Sequence, residues 1–216
     1  MKFSYKGEKI VRRFLLLYRK PELRLDLSLL FGGIMNAVYI AENFISAFLY
    51  KSAWSLTVTV YYLVFLLLRT YLLSSRRRVG WEESAAVKKI CLRVGTLLIF
   101  LGICAISVML YTVSVGSFAE YSGIVLFGFL VYSVYSLLSS VLGMRKFSKQ
   151  RKPLSYAARN ITLSSALLAV FNLEYSLLST LNVSYRFIIR AVLLSGFSIF
   201  FVIILLSVRL VYFSRK

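Results

Sequence analysis

The sequence contains no histidine and only one aspartate, Asp26. Without histidine the chain cannot build the usual Ser-His or Cys-His nucleophile pair, nor a His-ligated zinc site. A single aspartate also excludes the paired aspartates of an intramembrane aspartic protease. The two cysteines, Cys91 and Cys104, have no metal-ligand spacing, and the chain has no Gly-rich phosphate loop. We therefore predict a protein that is not an enzyme and that holds no metal and no cofactor.

Apolar residues dominate what is present, at 59% of the chain with a mean hydropathy of +0.78. Crossing a hydrocarbon core of about 30 Å takes about 20 apolar residues of helix. Six runs of that length occur, whereas the alternating pattern of a β-barrel is missing. The fold class predicted is an all-α polytopic membrane protein. Its six spans are expected at 27–50, 52–73, 94–115, 121–142, 157–181 and 187–212.

The positive charges alternate between the connections. All but three of the 27 Lys and Arg lie in the amino-terminal segment, the second and fourth connections and the tail; the exceptions are Lys51, Arg186 and Arg190. Because Lys and Arg next to a span favour the cytoplasmic side, both termini are expected in the cytoplasm of a bacterium, beneath its plasma membrane. The net charge of +19 then serves contact with anionic lipid head groups at the inner face, and we expect no nucleic-acid partner.

Three regions follow from this map: a basic segment (1–26), a transmembrane domain (27–212) and a short cytoplasmic tail (213–216). In the basic segment, Ile10, Phe14 and Leu17 share one face, as in an amphipathic helix lying at the inner interface. A disordered basic tail is the alternative. The segment does not have the pattern of a cleavable signal peptide.

The connections between spans differ in length. Those predicted outside the cell are very short, around Lys51, around 116–120 and around 182–186, whereas the inner ones are longer and basic. The six spans are thus expected to form three helical hairpins. The second helices of these hairpins resemble one another, so a triplicated hairpin packed as a ring is one reading.

Polar residues at membrane depth give the candidate site. An ionisable side chain at the helix centre costs about 2.5 to 3.5 kcal/mol on insertion scales, so such residues suggest function. The first and fifth spans each carry an acid and amides at similar depth. The candidates are Asn36, Glu42, Asn43, Asn172, Glu174 and Arg190. We expect Glu174 to pair with Arg190, and the two acids to line a small polar cavity that opens outward.

A structural role is the alternative for these residues. Each acid would then be neutralised by a neighbouring Arg, Asn or Tyr and would only fix helix register. Arg69 and Arg209 lie toward the inner ends of their spans. We expect both to reach the head groups as membrane anchors.

Small residues indicate where helices can approach closely. On the first span they recur every four residues, and on the fourth span they share a face. The helix-packing candidates are Gly33, Ala37, Ala41, Gly128, Ser136 and Ser140.

The stripe from Ala37 to Ala41 resembles the Ala-x-x-x-Ala stripe of the substrate-binding subunits of energy-coupling-factor vitamin importers. Those subunits also have about six helices and dock by this stripe on a transmembrane partner. The run RLDLSLLFGGIMNAVYIAEN is similar to small six-span membrane proteins of bacteria, a family that brings no activity to transfer. The first resemblance implies a membrane-protein partner, and a homo-oligomer is the other option.

The function expected from these features is a transporter, or a substrate-binding membrane subunit, for a small solute. The alternative is a scaffold or assembly subunit of a larger membrane complex, and a membrane enzyme ranks last.

Overall fold

The computed structural model describes residues 21–79, 85–116, 121–147, 153–181 and 183–215. Over these residues the chain forms six α-helices and no strands. They are α1 (Pro21–Leu49), α2 (Ala53–Val79), α3 (Ala85–Val115), α4 (Gly123–Phe147), α5 (Pro153–Thr180) and α6 (Tyr185–Arg215). Each is long and apolar enough to cross a membrane, so the chain is a multi-pass membrane protein. The predicted amphipathic segment around residues 9–20 lies outside the described residues.

The two ends of the bundle differ in charge. We call the end that holds Arg76, Arg77 and Lys88 the basic end, and the end that holds Lys51 the far end. At the basic end Asp26 of α1 forms an ion pair with Arg76 of α2. At the far end α1 and α3 stop at residues with positive φ, Lys51 (49°) and Gly116 (68°). A left-handed residue is a common way for a helix to end.

The helix α5 lies at the centre of the bundle. It contacts each of the other five helices, and its apolar stretch is 56% buried, the largest share among the six. The contacts place α4, α1, α2, α3 and α6 around it in that order. Because nearly every face of α5 touches protein, the helix needs small side chains more than apolar ones. Its buried residues include Ser155, Asn160, Ser164, Ser165, Asn172 and Ser176.

The structure corrects the predicted pairing in the middle of the chain. The first pair (α1 with α2) and the last pair (α5 with α6) pack together as expected for hairpins. The middle pair, α3 and α4, makes no contact in the described ranges; instead α3 packs on α6, and α4 packs on α5. A ring of three equal hairpins is therefore not the arrangement of these helices.

Glycines explain why α3 pairs with α6. A Cβ added at Gly95 would lie 2.7 Å from Val211 and 3.2 Å from the backbone oxygen of Ser207. One added at Gly102 would lie 2.8 Å from Ile204. Both glycines let the two backbones approach closely, and the van der Waals packing this allows is one of the forces that hold helices together in lipid. This close fit to α6, rather than the short link to α4, determines which helix α3 packs against.

Candidate functional site in the centre of the bundle

Arg69 of α2 is the most unusual residue of the described part of the chain. About 15 Å of helical rise separates it from Val79 at the basic end of α2. Its side chain does not extend to that end, as expected for an anchor, but turns inward and is 4% exposed. One Nη2–H donates a hydrogen bond of 3.1 Å to the hydroxyl of Ser165 on α5. The prediction that Arg69 reaches the head groups is wrong.

The positive charge of Arg69 has no acidic partner among the described residues, whose ion pair joins Asp26 and Arg76. The titratable groups that interact with it are the phenols of Tyr62, Tyr132 and Tyr135. Its Nε–H is buried without a hydrogen-bond partner in the described part of the chain. A buried charge is normally paired, because removing an ion from water costs several kcal/mol. Arg69 is an exception to that rule and needs an explanation.

Gly32 of α1 makes room for this side chain. A Cβ at position 32 would collide with the guanidinium of Arg69. At the neighbouring Gly33, a Cβ would meet Leu66 at an ordinary distance of 3.5 Å. Of the two adjacent glycines, only Gly32 is required by the position of the guanidinium.

A network of two amides, a tryptophan and a tyrosine fills the bundle toward the far end. Asn172 of α5 accepts a hydrogen bond of 2.9 Å from the indole of Trp54. Its amide nitrogen donates to the hydroxyl of Tyr39 at 2.6 Å and to Asn43 Oδ1 at 3.2 Å. Asn43 in turn donates to the backbone oxygen of Tyr39 at 3.0 Å. Every amide group of Asn172 is therefore satisfied, which is how buried polar groups stabilise a membrane bundle.

Aromatic rings join this network to Arg69. Tyr39 stacks on Tyr132 of α4 with ring centroids 3.9 Å apart and an interplanar angle of 10°. Tyr62 of α2 packs edge-on to both rings. The hydroxyl of Tyr62 donates to the backbone oxygen of Ser165 at 2.6 Å. We call this connected set the polar column; its members are Trp54, Asn172, Asn43, Tyr39, Tyr132, Asn36, Tyr62, Ser165 and Arg69.

The two halves of the polar column differ in how well they are satisfied. Near Asn172 each amide group has a partner. Near Arg69, the amide oxygen of Asn36 accepts from Tyr132 at 2.9 Å, but the amide nitrogen of Asn36 has no partner within the described ranges. The Nε–H of Arg69 has none either. Because both unsatisfied groups are donors, this half of the column is suited to an acceptor that carries negative charge.

The far end of the column is closed by Tyr121, which precedes α4. Its hydroxyl bonds to those of Ser52 and Ser55 at 2.9 and 2.8 Å. Its backbone N–H donates to Thr180 Oγ1 at 3.1 Å. Burial raises the pKa of this phenol above its ordinary value. The connection into α4 therefore covers the end of α5.

The structure divides the predicted site. Asn36, Asn43 and Asn172 all belong to the polar column. Glu42 instead packs against Gly128 of α4, where a Cβ would collide with its carboxylate. Glu174 interacts with the hydroxyl of Ser195 on α6. Because α4 and α6 do not touch in the described ranges, the two acids do not line one cavity.

The expected ion pair between Glu174 and Arg190 is absent from the described residues. Arg190 is exposed on α6, whereas Glu174 is half-buried. The two residues were matched by depth, but depth does not fix the face of the helix on which each side chain lies.

The predicted packing stripes also divide. Ser136 and Ser140 of α4 are buried, and Gly128 accommodates Glu42. On α1, Gly33 is buried, but Ala37 and Ala41 are exposed on the outside of the bundle. Within the described part of the chain, these two alanines are therefore not used for packing between helices.

Sequence reasoning missed Arg69 as a site residue, together with Trp54 and Tyr62. A usable signal was present, because Arg69 interrupts the apolar run LVFLLLRTYLL and lies several residues before the Arg cluster at 76–78. No group of His, Cys, Asp or Glu suited to a metal occurs in the described residues. What the polar column offers is a positive charge and hydrogen-bond donors in a dry setting.

Comparisons with protein-family models, with curated proteins and with solved structures found no match for this chain.

Proposed function

We propose that this protein is a membrane transporter, or a substrate-binding membrane subunit, for a small solute that carries negative charge. The solute binds at Arg69, in the half of the polar column whose donors are unsatisfied. The observation that carries the proposal is the guanidinium of Arg69, which is 4% exposed and lacks an ion-pair partner in the described residues. In a membrane span an uncompensated charge is costly, and its retention is best explained by a ligand.

The chemistry of the site supports an anion over a cation or a neutral solute. A guanidinium stays protonated in proteins and offers a planar set of N–H donors that suits carboxylates and phosphates. The titratable groups beside Arg69 are phenols, so an anion would meet no repulsive carboxylate among the described residues there. In this dry environment the attraction between the two charges is much stronger than in water.

Thermal unfolding in a neutral detergent tests this proposal. The wild-type chain would be titrated with acetate, inorganic phosphate and dodecanoate at constant ionic strength. We expect at least one anion to raise the melting temperature in a saturable way, because binding to the folded state stabilises it. Arg69→Gln should abolish that rise, whereas Arg209→Gln should keep it. Equal responses of the wild type and Arg69→Gln to all three anions would refute the proposal.

Uptake of the stabilising anion into proteoliposomes then separates the two forms of the proposal. Uptake by the purified chain alone supports a transporter. Binding without uptake supports a subunit that needs a membrane partner.

A scaffold or assembly subunit is the second candidate. It is favoured by Ala37 and Ala41, whose small side chains face out of the bundle. Such a stripe permits close contact with a helix of another chain, as in the importer subunits that it resembles. Ala41→Leu should then remove a co-purifying membrane protein, or a second copy of this chain, from native mass spectra in mild detergent. Spectra that are unchanged by the substitution would contradict this role.

We also propose that the basic end faces the cytoplasm, that the membrane is the plasma membrane of a bacterium, and that anionic head groups contact Arg76, Arg77 and Arg78 there. The bias of Lys and Arg to one end supports this orientation. Alkaline phosphatase, which is active only outside the cytoplasm, should be inactive when fused after Gln150 and active when fused after Gly116. The opposite pattern would invert the topology.

A further inference from the structure

A groove of about 270 Å³ opens on the outside of the bundle between α1 and α2. Its walls are apolar, and they include Gly33 and Ile34 of α1 and Leu66 of α2. At the rim, Leu30 is 48% exposed and Ile34 is 55% exposed. Because the outer surface of a membrane bundle faces hydrocarbon, this groove opens to lipid rather than to water.

Arg69, which is 4% exposed, is one of the residues that line this groove. The groove therefore leads from the lipid phase to the side chain of Arg69, whose Nε–H is buried and has no partner in the described residues. A groove with apolar walls that leads to one charged side chain is the pattern expected for a ligand with an apolar chain and a charged end. A purely hydrophilic anion would gain nothing from this wall.

We propose that the groove admits a monoanionic single-chain amphiphile of the fatty-acid class from the bilayer, with its carboxylate on Arg69 and its hydrocarbon chain between α1 and α2. This inference rests on the proposed function, because it names the class of anion that Arg69 binds.

Charge and size both favour a carboxylate with a single chain. One guanidinium neutralises one carboxylate, whereas a phosphate dianion would leave a second negative charge buried and unpaired. A volume of about 270 Å³ is below the range of about 300–1,000 Å³ that holds a drug-sized ligand. The groove therefore holds the carboxylate and the nearest methylene groups, and the rest of the chain stays in lipid.

Two alanines on the same exposed stripe give a matched pair of variants. Ala37 lines the groove, so Ala37→Phe places a ring in it without replacing Arg69. Ala41 lies one helical turn further along α1 and is exposed, but it is not part of the groove lining. Ala41→Phe therefore adds the same ring to the same helix surface and leaves the groove open.

Equilibrium binding of radiolabelled dodecanoate to the full chain in phosphatidylcholine nanodiscs tests the inference, with empty nanodiscs subtracted. We expect saturable binding to the wild type and to Ala41→Phe. It should be at least tenfold weaker in Ala37→Phe and absent in Arg69→Gln. Acetate has the head without the chain, and dodecanol has the chain without the charge. Neither should displace dodecanoate at equal concentration.

The outcomes separate the two proposals. If acetate competes as well as dodecanoate and Ala37→Phe binds like the wild type, the amphiphile is refuted while the anion site at Arg69 stands. If a single-chain lysophosphatidylglycerol competes better than dodecanoate, the assignment to the carboxylate class is refuted. If neither acetate, phosphate nor dodecanoate distinguishes Arg69→Gln from the wild type, both proposals fail. The size-exclusion profile of each variant establishes that it is folded.

Discussion

Arg69 and Arg209 form an instructive pair, since each is a lone cation within a long apolar run toward the basic end of its helix. In the fold they have opposite environments. Arg69 is 4% exposed and bonds to Ser165 of the central helix. Arg209 is exposed on α6, with its guanidinium carbon 5.7 Å from the ring centroid of Phe213. The expected role as a membrane anchor fits Arg209 and fails for Arg69.

The difference lies in the helix face rather than in depth. On α6, the neighbouring Ser207 and Leu210 point inward and are buried, which leaves position 209 outside. On α2, Leu68 and Leu72 are buried together with Arg69, so the arginine shares the inward face. Arg69 is therefore a charged side chain held inside the bundle, where a charge at membrane depth is costly.

Replacing Arg69 should have the largest effect on the fold. Arg69→Met removes an unpaired buried charge, which recovers part of the insertion cost of about 2.5–3.5 kcal/mol. Loss of the hydrogen bond to Ser165 reduces this gain in stability by about 1 kcal/mol. We expect the free energy of unfolding to rise by about 2 kcal/mol while anion binding is lost. Reversible unfolding in mixed detergent micelles, followed by circular dichroism, measures the change.

A gain in stability together with a loss of binding is typical of a functional residue that costs the fold energy. A fall in stability for Arg69→Met would instead indicate that the guanidinium serves the fold, and the comparison with Arg209 would then carry no functional meaning.

Gly32→Ala should have the next largest effect. The added methyl group would collide with the guanidinium of Arg69, and overpacking of this kind typically costs about 1–3 kcal/mol. We expect a loss of about 1.5 kcal/mol in the same unfolding assay and weaker anion binding. The control is Gly33→Ala, whose methyl group meets Leu66 at 3.5 Å and should change stability by less than about 0.5 kcal/mol. Equal losses in the two variants would indicate that both only weaken contact between α1 and α2.

The sequence predicts the fold well at the far end and less well at the basic end. The fifth span was expected at 157–181, and the helix is Pro153–Thr180. The third span was expected at 94–115, and the helix is Ala85–Val115. In both, the far ends agree to within one residue, whereas the helix begins earlier than expected at the basic end. At the far end short links force the helix to stop where the lipid stops. At the basic end the helices continue into charged sequence such as Lys88 and Lys89, because Lys and Arg are good helix formers. Hydropathy locates the membrane rather than the ends of the helices.

The candidate site was predictable in part. Asn36, Asn43 and Asn172 were found because amides are conspicuous in apolar helices, and all three lie in the polar column. The acids were misplaced because a match in depth says nothing about which helices are neighbours. That information depends on close packing between distant parts of the chain, such as Gly128 with Glu42.

Ser165→Ala should have a smaller effect than either change above. It removes the hydroxyl that accepts the bond from Arg69, whereas the backbone oxygen that Tyr62 uses remains. We expect a loss of about 1 kcal/mol, the typical net value of one hydrogen bond. In the Arg69→Met background the same change should be nearly neutral, and this double-mutant cycle isolates the contact. Equal costs in both backgrounds would show that Ser165 does not stabilise Arg69.

Arg209→Gln should have the smallest effect of all. The guanidinium lies outside the bundle, and its interaction with Phe213 is of the exposed cation–π kind, worth about 0.5–1 kcal/mol. Part of that is offset because glutamine also packs its methylene groups along the helix, so we expect a net loss below about 0.5 kcal/mol and unchanged anion binding. If Arg209→Gln instead weakened binding as strongly as Arg69→Gln, the anion would be attracted by the summed charge of the basic end. Burial of Arg69 would then no longer be what sets the two arginines apart.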